Sequence, residues 1–493
     1  MKMDWILLLP VLIPVCGAVC LLAFGNRFGK KTAEYITLFC VFAAGITVLI
    51  ISQTGGLSIT VLPLLPELPV YFRSDGISQV FAGITAFMWF LSTWFSFGYL
   101  AEDERETKYQ MFSLLSLGAL LGVCYSGNLV TTYLFYEMMT LVTFPLVLHE
   151  RTKEAVSAGL TYLYYSVAGA FLGLCGIFFL YANAMDGDRP GGKLGYLEGG
   201  FLKAGANKSV LLPVIFLMLV GLACKAGMFP LHGWLPKAHP VAPSPASALL
   251  SGNITKMGIL FTVRVIFYSV GQEFLQETWV MDALLCLSLF TVFLGSMLAF
   301  REKLLKKRLA YSTVSQTSYC LTGIYLLSGT ALTGALMHVV FHSVIKNLLF
   351  LCAGAIIVQT GKKTVTELKG IGKVLPSTMR CFTVAGLALV GIPPLSGFIS
   401  KWYLAEGAIE SGLPVFMYLA PAVLLISALL TAGYLLTVSA DAFFGKTEEE
   451  TERCPKSMYL LPPLIIGSIL AIVLGVFPDP LTNFLERIVS GLF

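Results

Sequence analysis

Residues 221–234 read GLACKAGMFPLHGW, and residues 386–398 read GLALVGIPPLSGF. Each stretch starts with Gly-Leu-Ala, continues to a Pro-Leu-x-Gly-aromatic sequence and lies within a long apolar segment. A proline inside a helix removes a backbone hydrogen bond, so Pro230, Pro393 and Pro394 predict a break in each helix. Matching broken helices in two segments that cross a membrane in opposite directions are typical of an inverted internal repeat.

The composition is that of a membrane protein. Of the 493 residues, 56% are hydrophobic and 12% are charged, and the mean hydropathy is +0.80. Soluble proteins are about 25% charged, so this chain carries roughly half the usual charge. These values exclude a soluble enzyme, a disordered chain and a nucleic-acid binder. The 11 Cys residues form no Cys-x-x-Cys pair, so neither an iron–sulfur site nor a zinc site is expected.

Apolar runs of about 18 or more residues predict about 14 transmembrane helices. The runs cover approximately residues 4–24, 34–53, 77–100, 110–126, 129–148, 156–183, 210–231, 245–269, 279–300, 309–328, 332–358, 380–404, 413–443 and 459–478. No soluble domain remains between them. We therefore expect an all-α polytopic membrane protein in which residues 1–493 form a single membrane domain.

The distribution of basic residues predicts the orientation. Of the 33 Lys and Arg residues, 21 fall in the odd-numbered loops between the predicted helices, whereas 7 fall in the even-numbered loops and the termini. Cytoplasmic loops are enriched in Lys and Arg, so the odd-numbered loops, including the basic segment 301–308, are expected in the cytoplasm. Both termini are then expected on the external side, which agrees with an even number of helices.

The five remaining Lys and Arg residues and Glu137 lie inside predicted helices, where a charge at the bilayer centre costs ~2.5–3.5 kcal/mol. They are Glu137, Lys225, Lys256, Arg264, Lys346 and Lys401. Such groups normally face a hydrated interior, pair with one another and mark an ion pathway. The alternative is a set of ion pairs that only hold helices together. Arg264 differs from the others, because it lies toward the outer end of its helix and its side chain can extend to the membrane surface.

His338, His342 and Lys346 are spaced four residues apart, so they lie along one helical face. Histidine is the side chain whose unperturbed pKa lies nearest physiological pH, and with bridging waters such a line can pass a proton along the helix. A single buried histidine is usually a core residue, but two His and a Lys on one mid-membrane stripe indicate a proton relay. A metal site is not expected, because Lys is a weak ligand and no carboxylate or Cys lies at ligand spacing in this helix.

The two broken helices each carry a lysine close to the break, Lys225 and Lys401. We therefore expect two inverted five-helix repeats between N-terminal and C-terminal helices. The predicted division is N-terminal helices in residues 1–108, a first repeat in 109–270, a second repeat in 279–443 and a C-terminal helix in 444–493. Unrelated packing kinks at both places are the alternative interpretation.

The same residues carry a resemblance to a known family. The segments FYEMMTL (135–141), KAGMFPLHGWLPKAH (225–239), PASALLSGNITKMG (245–258) and KKRLAYS (306–312) resemble motifs of the antiporter-like subunits of respiratory complex I, of Mrp-type cation/proton antiporters and of membrane-bound hydrogenases. Tyr136 stands where the family usually has Trp, and Leu304 stands where Asp is common. Lys256 with its flanking segment resembles the M, N and MrpD branches. Lys401 in place of Glu favours an MrpD-like or hydrogenase-associated subunit.

The resemblance implies a proton path along the membrane midplane. The path runs through Glu137 paired with Lys225, then Lys256, then the stripe of His338, His342 and Lys346, and finally Lys401 near the outer face. The resemblance also implies partner membrane subunits in the cell membrane of a prokaryote, and H⁺ as the transported ion with Na⁺ as a second candidate. No cofactor is expected to bind to this chain.

Two alternatives belong to other functional classes. A freestanding transporter for an organic solute would mix aromatic and hydrogen-bonding groups at the broken helices, whereas these breaks carry single lysines. A redox enzyme would need haem, iron–sulfur or nucleotide signatures, and the sequence has no CxxCH motif, no Cys cluster and no strand–GxGxxG–helix unit. Membership of an NADH:quinone oxidoreductase complex stays open, with the redox energy supplied by other subunits.

Overall fold

A computed structural model describes residues 4–25, 27–65, 67–446 and 458–493, and these residues are predominantly helical. A short 3₁₀ helix, Asp4–Leu8, precedes the first α-helix. The helices of the first half are α1 (Leu9–Phe24), α2 (Lys30–Thr54), α3 (Gly76–Tyr99), α4 (Glu106–Tyr125), α5 (Leu129–Val147), α6 (Lys153–Asn183), α7 (Lys208–Ala226), α8 (Leu235–Val241), α9 (Ser244–Leu249) and α10 (Thr255–Val265). Those of the second half are α11 (Gln272–Leu275), α12 (Trp279–Arg301), α13 (Leu305–Tyr325), α14 (Gly329–Thr360), α15 (Pro376–Val390), α16 (Ser396–Glu410), α17 (Phe416–Phe444), α18 (Leu461–Val476) and α19 (Asp479–Ser490).

The number of membrane spans is the first point of difference from the prediction. Within the described ranges, 10 helices are long and apolar enough to cross a membrane, or up to 11 if α18 and α19, which meet at 68°, form one bent span. Each predicted segment falls on a helix, but α4, α13 and the broken pair α15–α16 do not meet this criterion. The count of 14 is therefore not confirmed. In α13 the reason is burial, since almost all of this Ser- and Thr-rich helix packs against other helices and needs no apolar surface.

The odd-numbered loops meet at one end of the helix bundle. Lys30 Nζ, at the start of α2, donates a hydrogen bond of 3.0 Å to the carbonyl oxygen of Leu100, which follows α3. Leu304, between α12 and α13, forms a β-bridge with Thr364, which follows α14. We call this end of the molecule the basic-loop face, because it carries the loops that are rich in Lys and Arg.

The even-numbered loops and the C-terminus meet at the opposite end. Strands β1 (Ser58–Leu65) and β2 (Leu68–Arg73) form an antiparallel hairpin between α2 and α3. Phe72 of this hairpin bridges to Ser126, which follows α4. Gln272 donates a hydrogen bond of 3.1 Å to the carbonyl oxygen of Leu492 near the C-terminus. These contacts place odd-numbered and even-numbered loops at opposite ends of the bundle, as the predicted topology requires.

Small residues bring the helices of the site close together. A Cβ atom on Gly169 of α6 would lie 2.5 Å from the carbonyl oxygen of Gly221 in α7. A Cβ atom on Gly407 of α16 would likewise lie 2.2 Å from the backbone nitrogen of Ala331 in α14. A larger side chain would clash with the facing backbone at either contact, so glycine allows the helices to approach closely. Membrane helices gain stability from such close approach.

Candidate functional site

The centre of the site is a contact between Lys256 and His342. Lys256 lies in the first turn of α10, directly after a π-helical segment, Leu250–Ile254, and is buried. Its Nζ donates a hydrogen bond of 2.6 Å to the carbonyl oxygen of Ser251 and lies 2.6 Å from Nδ1 of His342 in α14. Short π-helical segments are frequent at functional sites. The contact joins buried, titratable side chains from two distant parts of the chain.

His338 continues this contact along α14. The ring centroids of His338 and His342 lie 5.8 Å apart, and the rings are inclined by 24°. Nδ1 of His338 lies 2.9 Å from Oγ of Ser400, and Nε2 lies 3.1 Å from Oε1 of Gln316. His338 therefore links α14 to α13 and α16. The structure places the two histidines on the same side of α14, as their four-residue spacing predicts.

Lys346 lies one helical turn beyond His342 and is fully buried. Its Nζ donates a hydrogen bond of 3.0 Å to the carbonyl oxygen of Leu309 in α13. Over the described ranges, no carboxylate forms an ion pair with Lys346. The side chain is therefore held by a backbone carbonyl group and not by an opposite charge.

Lys225 lies in the last turn of α7, next to the first helix break, and is buried. Its Nζ donates hydrogen bonds of 2.6 Å to Oγ1 of Thr140 and of 3.2 Å to the hydroxyl of Tyr162. The ring centroid of Tyr162 lies 4.8 Å from Nζ, a distance at which a cation is attracted to an aromatic ring. Hydroxyl groups both donate and accept, so these contacts can hold the lysine and can also relay a proton.

Glu137 and Lys225, which the sequence predicts to be a coupled pair, form no direct ion pair among the described residues. Glu137 lies on α5 and is half-buried, and its Oε1 has no hydrogen-bond partner in the described part of the chain. The ion pairs of that part include neither residue. The reason is local, since Thr140, one turn along α5 from Glu137, and Tyr162 already hold the ammonium group. Functional coupling between Glu137 and Lys225 stays a prediction.

Lys401 lies in α16, after the second helix break. Its Nζ donates hydrogen bonds of 2.6 and 2.8 Å to the carbonyl oxygens of Leu389 and Val390, at the end of α15. These carbonyl groups have no partner within their own helix, and a cation there also interacts favourably with the helix dipole. The same Nζ lies 5.4 Å from the ring centroid of Tyr319. The ring centroids of Tyr319 and His338 also lie 5.4 Å apart. Tyr319 therefore separates Lys401 from His338.

Both expected helix breaks are present. Helix α7 ends before Gly227, which has φ +79°, and α15 ends before Gly391, which has φ +89°. Glycine adopts this left-handed conformation without the steric cost that other residues incur. Pro230, Pro393 and Pro394 lie in the non-helical segments that follow, and the peptide bonds before Pro230 and Pro394 are cis. The helix at the first break ends earlier than the apolar run, which continues to residue 231.

Arg264 is buried and does not extend to the membrane surface as the sequence allowed. Its guanidinium binds Asp75, the N-cap residue of α3, through two hydrogen bonds of 2.7 and 2.8 Å. The rings of Tyr196 and Tyr268 lie 5.1 and 4.7 Å from the guanidinium carbon. Burial by itself would raise the pKa of the Asp75 carboxyl, but the adjacent guanidinium holds that pKa below its usual value. Bidentate pairs of this kind are strong and geometrically specific, so Arg264 is a structural clasp.

His239 is a further buried titratable residue, which the sequence did not single out. It lies in α8 and stacks on Phe350 with ring centroids 4.7 Å apart. Neither ring nitrogen has a hydrogen-bond partner among the residues that the structure describes. The next residue, Pro240, lines a cavity of about 410 Å³ on the basic-loop face, together with Glu150 and Lys306. A single His gives no periodic pattern, so nothing in the sequence separated it from a core residue.

These features define the class of the protein. Buried Lys and His side chains of α7, α10 and α14, with the half-buried Lys401 of α16, lie inside a bundle of apolar helices, and ionisable groups in such positions normally mark ion pathways. The chain belongs to the family described as NADH:quinone oxidoreductase/Mrp antiporter, whose profile matches residues 126–431. It is a proton-translocating, antiporter-like subunit. In the described ranges, no group of three or more His, Cys, Asp and Glu side chains is placed to hold a metal ion.

Named relatives support this membership. The N-type subunit of NADH-quinone oxidoreductase from Desulforudis audaxviator is 33% identical over 395 residues, which cover 77% of this chain and 76% of the relative. The D-type Na⁺/H⁺ antiporter subunit of Alkalihalophilus pseudofirmus is 26% identical over 489 residues, which cover 98% of this chain and 96% of the relative. A chain of the Mrp complex from Dietzia sp. has the same fold, with a TM-score of 0.85 at 22% identity over 100% of this chain and 98% of that chain. The resemblance found in the sequence is confirmed.

Proposed function

We propose that this chain moves protons through the membrane along the line formed by Glu137, Lys225, Lys256, His338, His342, Lys346 and Lys401. The 2.6 Å contact between Lys256 and His342 carries the proposal. It joins two titratable groups that are buried away from both ends of the bundle, and a lysine has no role in apolar packing that would justify its cost there. A proton on either group can pass to the other without a large movement of the backbone.

The line extends on both sides of this contact. Toward the first break, α10 packs so closely on α7 that a Cβ atom on Gly258 would lie 3.0 Å from Cβ of Lys225. Toward the second break, the ring of Tyr319 lies between His338 and Lys401. The direction of transfer, from Lys225 through Lys256 to Lys401, follows from the resemblance to the family.

We also propose the finer architecture that the sequence predicts, with 14 spans and two inverted repeats. The support is the matching pair of helix breaks, each with a lysine close to it. Lys225, in the last turn of α7, binds hydroxyl groups of α5 and α6, and Lys401 binds carbonyl groups at the end of α15. The proposed repeats cover residues 109–270 and 279–443, between N-terminal helices in 1–108 and a C-terminal part in 444–493. Residues 447–457 of that last part lie outside the described residues.

The proposed setting is a multisubunit complex in the cell membrane of a prokaryote, where this chain contacts other membrane subunits and the lipid bilayer. Relatives named as Na⁺/H⁺ antiporter subunits favour an Mrp-type complex, and a relative named as hydrogenase-4 component B favours a hydrogenase-type complex. The proposed coupled ions are H⁺ and, as a second candidate, Na⁺. The second candidate function is that of a membrane subunit of NADH:quinone oxidoreductase, favoured by the relative that is 33% identical. A solute transporter is disfavoured, because Lys225 and Lys401 are directed at protein hydroxyl and carbonyl groups.

The test of the proposed function is proton transport by a His342→Ala variant. We expect the rate to fall several-fold and not to zero, because a water molecule in the vacated space can bridge to Lys256. Acidification of vesicles that carry the whole complex, followed with a pH-sensitive dye, measures the rate. His149→Ala is the matched control, since that histidine lies between α5 and α6 at the basic-loop face and pairs with Asp103. Equal rates in both variants would argue against a path through His342.

The proposed orientation has its own test. The basic-loop face is expected in the cytoplasm and both termini outside, because 21 of the Lys and Arg residues lie in the odd-numbered loops. An epitope inserted after Gly361, at an open glycine position beyond α14, should be accessible to protease only in inside-out vesicles. A C-terminal epitope should show the opposite behaviour. Digestion of the first epitope in right-side-out vesicles would reverse the proposed orientation and the assigned side of proton uptake.

A further inference from the structure

Two adjoining cavities lie between the ends of α4, α5 and α6 on the basic-loop face. The smaller, about 220 Å³, lies among the last turn of α5 and the first turns of α4 and α6, and the larger, about 500 Å³, follows α6 from Lys153 to Tyr164. Arg151 and Val156 line both cavities, so the two form one continuous depression. We call it the α6 groove.

The end of the α6 groove nearest the loops is lined by cations. The basic residues that line it are Arg105, Lys108, His149, Arg151 and Lys153, and no Asp or Glu lines either cavity. The nearby carboxylate of Asp103 is already engaged, at 2.7 Å from His149 and 3.5 Å from Arg105. In contrast, Lys108, Arg151 and Lys153 are exposed and take part in none of the ion pairs of the described residues. The groove therefore has three positive charges without a protein partner.

The backbone conformation fixes the position of one of these cations. Arg151 has φ +56°, a backbone conformation that residues other than Gly rarely adopt. Its backbone nitrogen donates a hydrogen bond of 2.9 Å to the carbonyl oxygen of Leu148. This turn between α5 and α6 places Arg151 where the two cavities meet, since the residue lines both of them. Residues held in such conformations concentrate at binding sites.

The rest of the α6 groove is apolar and faces outward. Val156, Leu160 and Tyr164 recur along one face of α6 and are 43%, 38% and 67% exposed. The inner part of the groove is lined by Phe112, Pro145 and Leu146. A free anion would use only the cationic end. A molecule that uses the whole groove has an anionic head beside the loops and a hydrocarbon tail along the membrane-facing side of α6.

We propose that the α6 groove binds an anionic phospholipid, with its phosphate against Lys108, Arg151 and Lys153 and one acyl chain along Val156, Leu160 and Tyr164. Basic residues just beyond a membrane helix attract anionic headgroups, and basic pockets between such helices are recurrent lipid sites. An acidic protein segment is the competing occupant, but it would leave the exposed apolar stripe of α6 unused. The proposal does not depend on the proton path, because none of these residues belongs to that path.

The test compares lipid retention by the full chain in its membrane complex. Native mass spectrometry after exchange into mixed phosphatidylglycerol and phosphatidylcholine counts the lipids that stay bound. We expect the unmodified protein to retain phosphatidylglycerol in preference. In the variant Lys108→Gln/Arg151→Gln/Lys153→Gln, the retention of phosphatidylglycerol relative to phosphatidylcholine should fall at least tenfold. The matched control, Lys362→Gln/Lys369→Gln/Lys373→Gln, removes three charges from another loop on the same face and should leave the preference unchanged.

Two further measurements make the outcome decisive. The single change Lys153→Gln, at an exposed position, should lower retention several-fold in a protein that is folded by its melting temperature, and Leu160→Ala/Tyr164→Ala should do the same through the acyl chain. Equal losses in both triple variants would overturn the proposal, because they would reflect only the charge of the face. Displacement of the lipid by inorganic phosphate, or full retention by Leu160→Ala/Tyr164→Ala, would show a simple anion site and would overturn it as well.

Discussion

A Lys346→Arg variant is expected to lose proton transport almost completely, with at least a tenfold fall in rate, although it keeps the positive charge. In the structure Lys346 is fully buried, and its Nζ donates a hydrogen bond of 3.0 Å to the carbonyl oxygen of Leu309. A guanidinium can replace that hydrogen bond, but it is not deprotonated in proteins and so cannot release a proton. Lys346→Ala is expected to fail equally, because it removes the carrier. Transport in vesicles that hold the whole complex is the measurement.

The control for this prediction is Lys369→Arg, which makes the same change at an exposed lysine of the basic-loop face. The amount of each variant in the membrane and its melting temperature show that Lys346→Arg inserts and folds. His338→Ala should keep measurable activity, since water can replace a ring that is held by Ser400 and Gln316. A fully active Lys346→Arg variant would show that this position needs only a positive charge, and the relay would become an electrostatic switch.

In a Glu137→Ala variant the rate of proton transport is expected to fall at least tenfold, which corresponds to a rise of about 1.4 kcal/mol in the activation free energy. The two hydroxyl groups that hold Lys225 are neutral. Glu137 interacts electrostatically with Lys225, so we expect this carboxylate to balance the charge when the lysine leaves the hydroxyl groups. Removal of the carboxylate leaves a buried cation without compensation, and such changes are strongly unfavourable. Glu137→Gln should behave in the same way, because the amide keeps the shape and loses the charge.

Two further variants separate the electrostatic coupling of Glu137 to Lys225 from the packing of the side chains around Lys225. Thr140→Val removes one hydroxyl partner of Lys225 and keeps the volume of the side chain, so it should lower transport less than Glu137→Gln does. Glu410→Gln, at an exposed position at the end of α16, is the matched control for the carboxylate. Normal transport by Glu137→Gln would mean that Lys225 works with its hydroxyl partners alone, and the carboxylate would leave the proposed path.

The sequence predicted the positions of the buried charges and of the helix breaks with little ambiguity. A lysine in an apolar run, as at Lys256, is unfavourable in any fold, so its presence is informative before the fold is known. Pro230 and Pro394 were informative in combination with the glycines before them, because α7 and α15 end at Gly227 and Gly391. Proline alone is not sufficient, since Pro145 lies inside the continuous helix α5. The four-residue spacing of His338 and His342 likewise fixed their shared side of α14, which is a local property of a helix.

The partners of these residues could not be predicted, because they come from distant segments. Asp75 binds Arg264 across 189 positions of sequence, and no local pattern marks it as anything other than the start of a helix. Lys225 binds hydroxyl groups of α5 and α6 in preference to Glu137, a choice that depends on how three helices pack. The predicted segment 309–328 falls on α13, but this helix is too polar to be recognised as a span by its composition, since a helix surrounded by other helices has no need of apolar residues.

The clasp between Arg264 and Asp75 has a consequence for how the even-numbered-loop end of the protein responds to pH. The pKa of Asp75 is lower in the folded protein than in the unfolded chain, so the clasp stabilises the fold above the ordinary aspartate pKa of about 3.9 and weakens only as the pH falls through the still lower folded value. In the proposed orientation this clasp faces outward. Mild acidification on that side therefore leaves the clasp closed, and the packing of α3 against α10 at that end does not depend on small changes of the external pH.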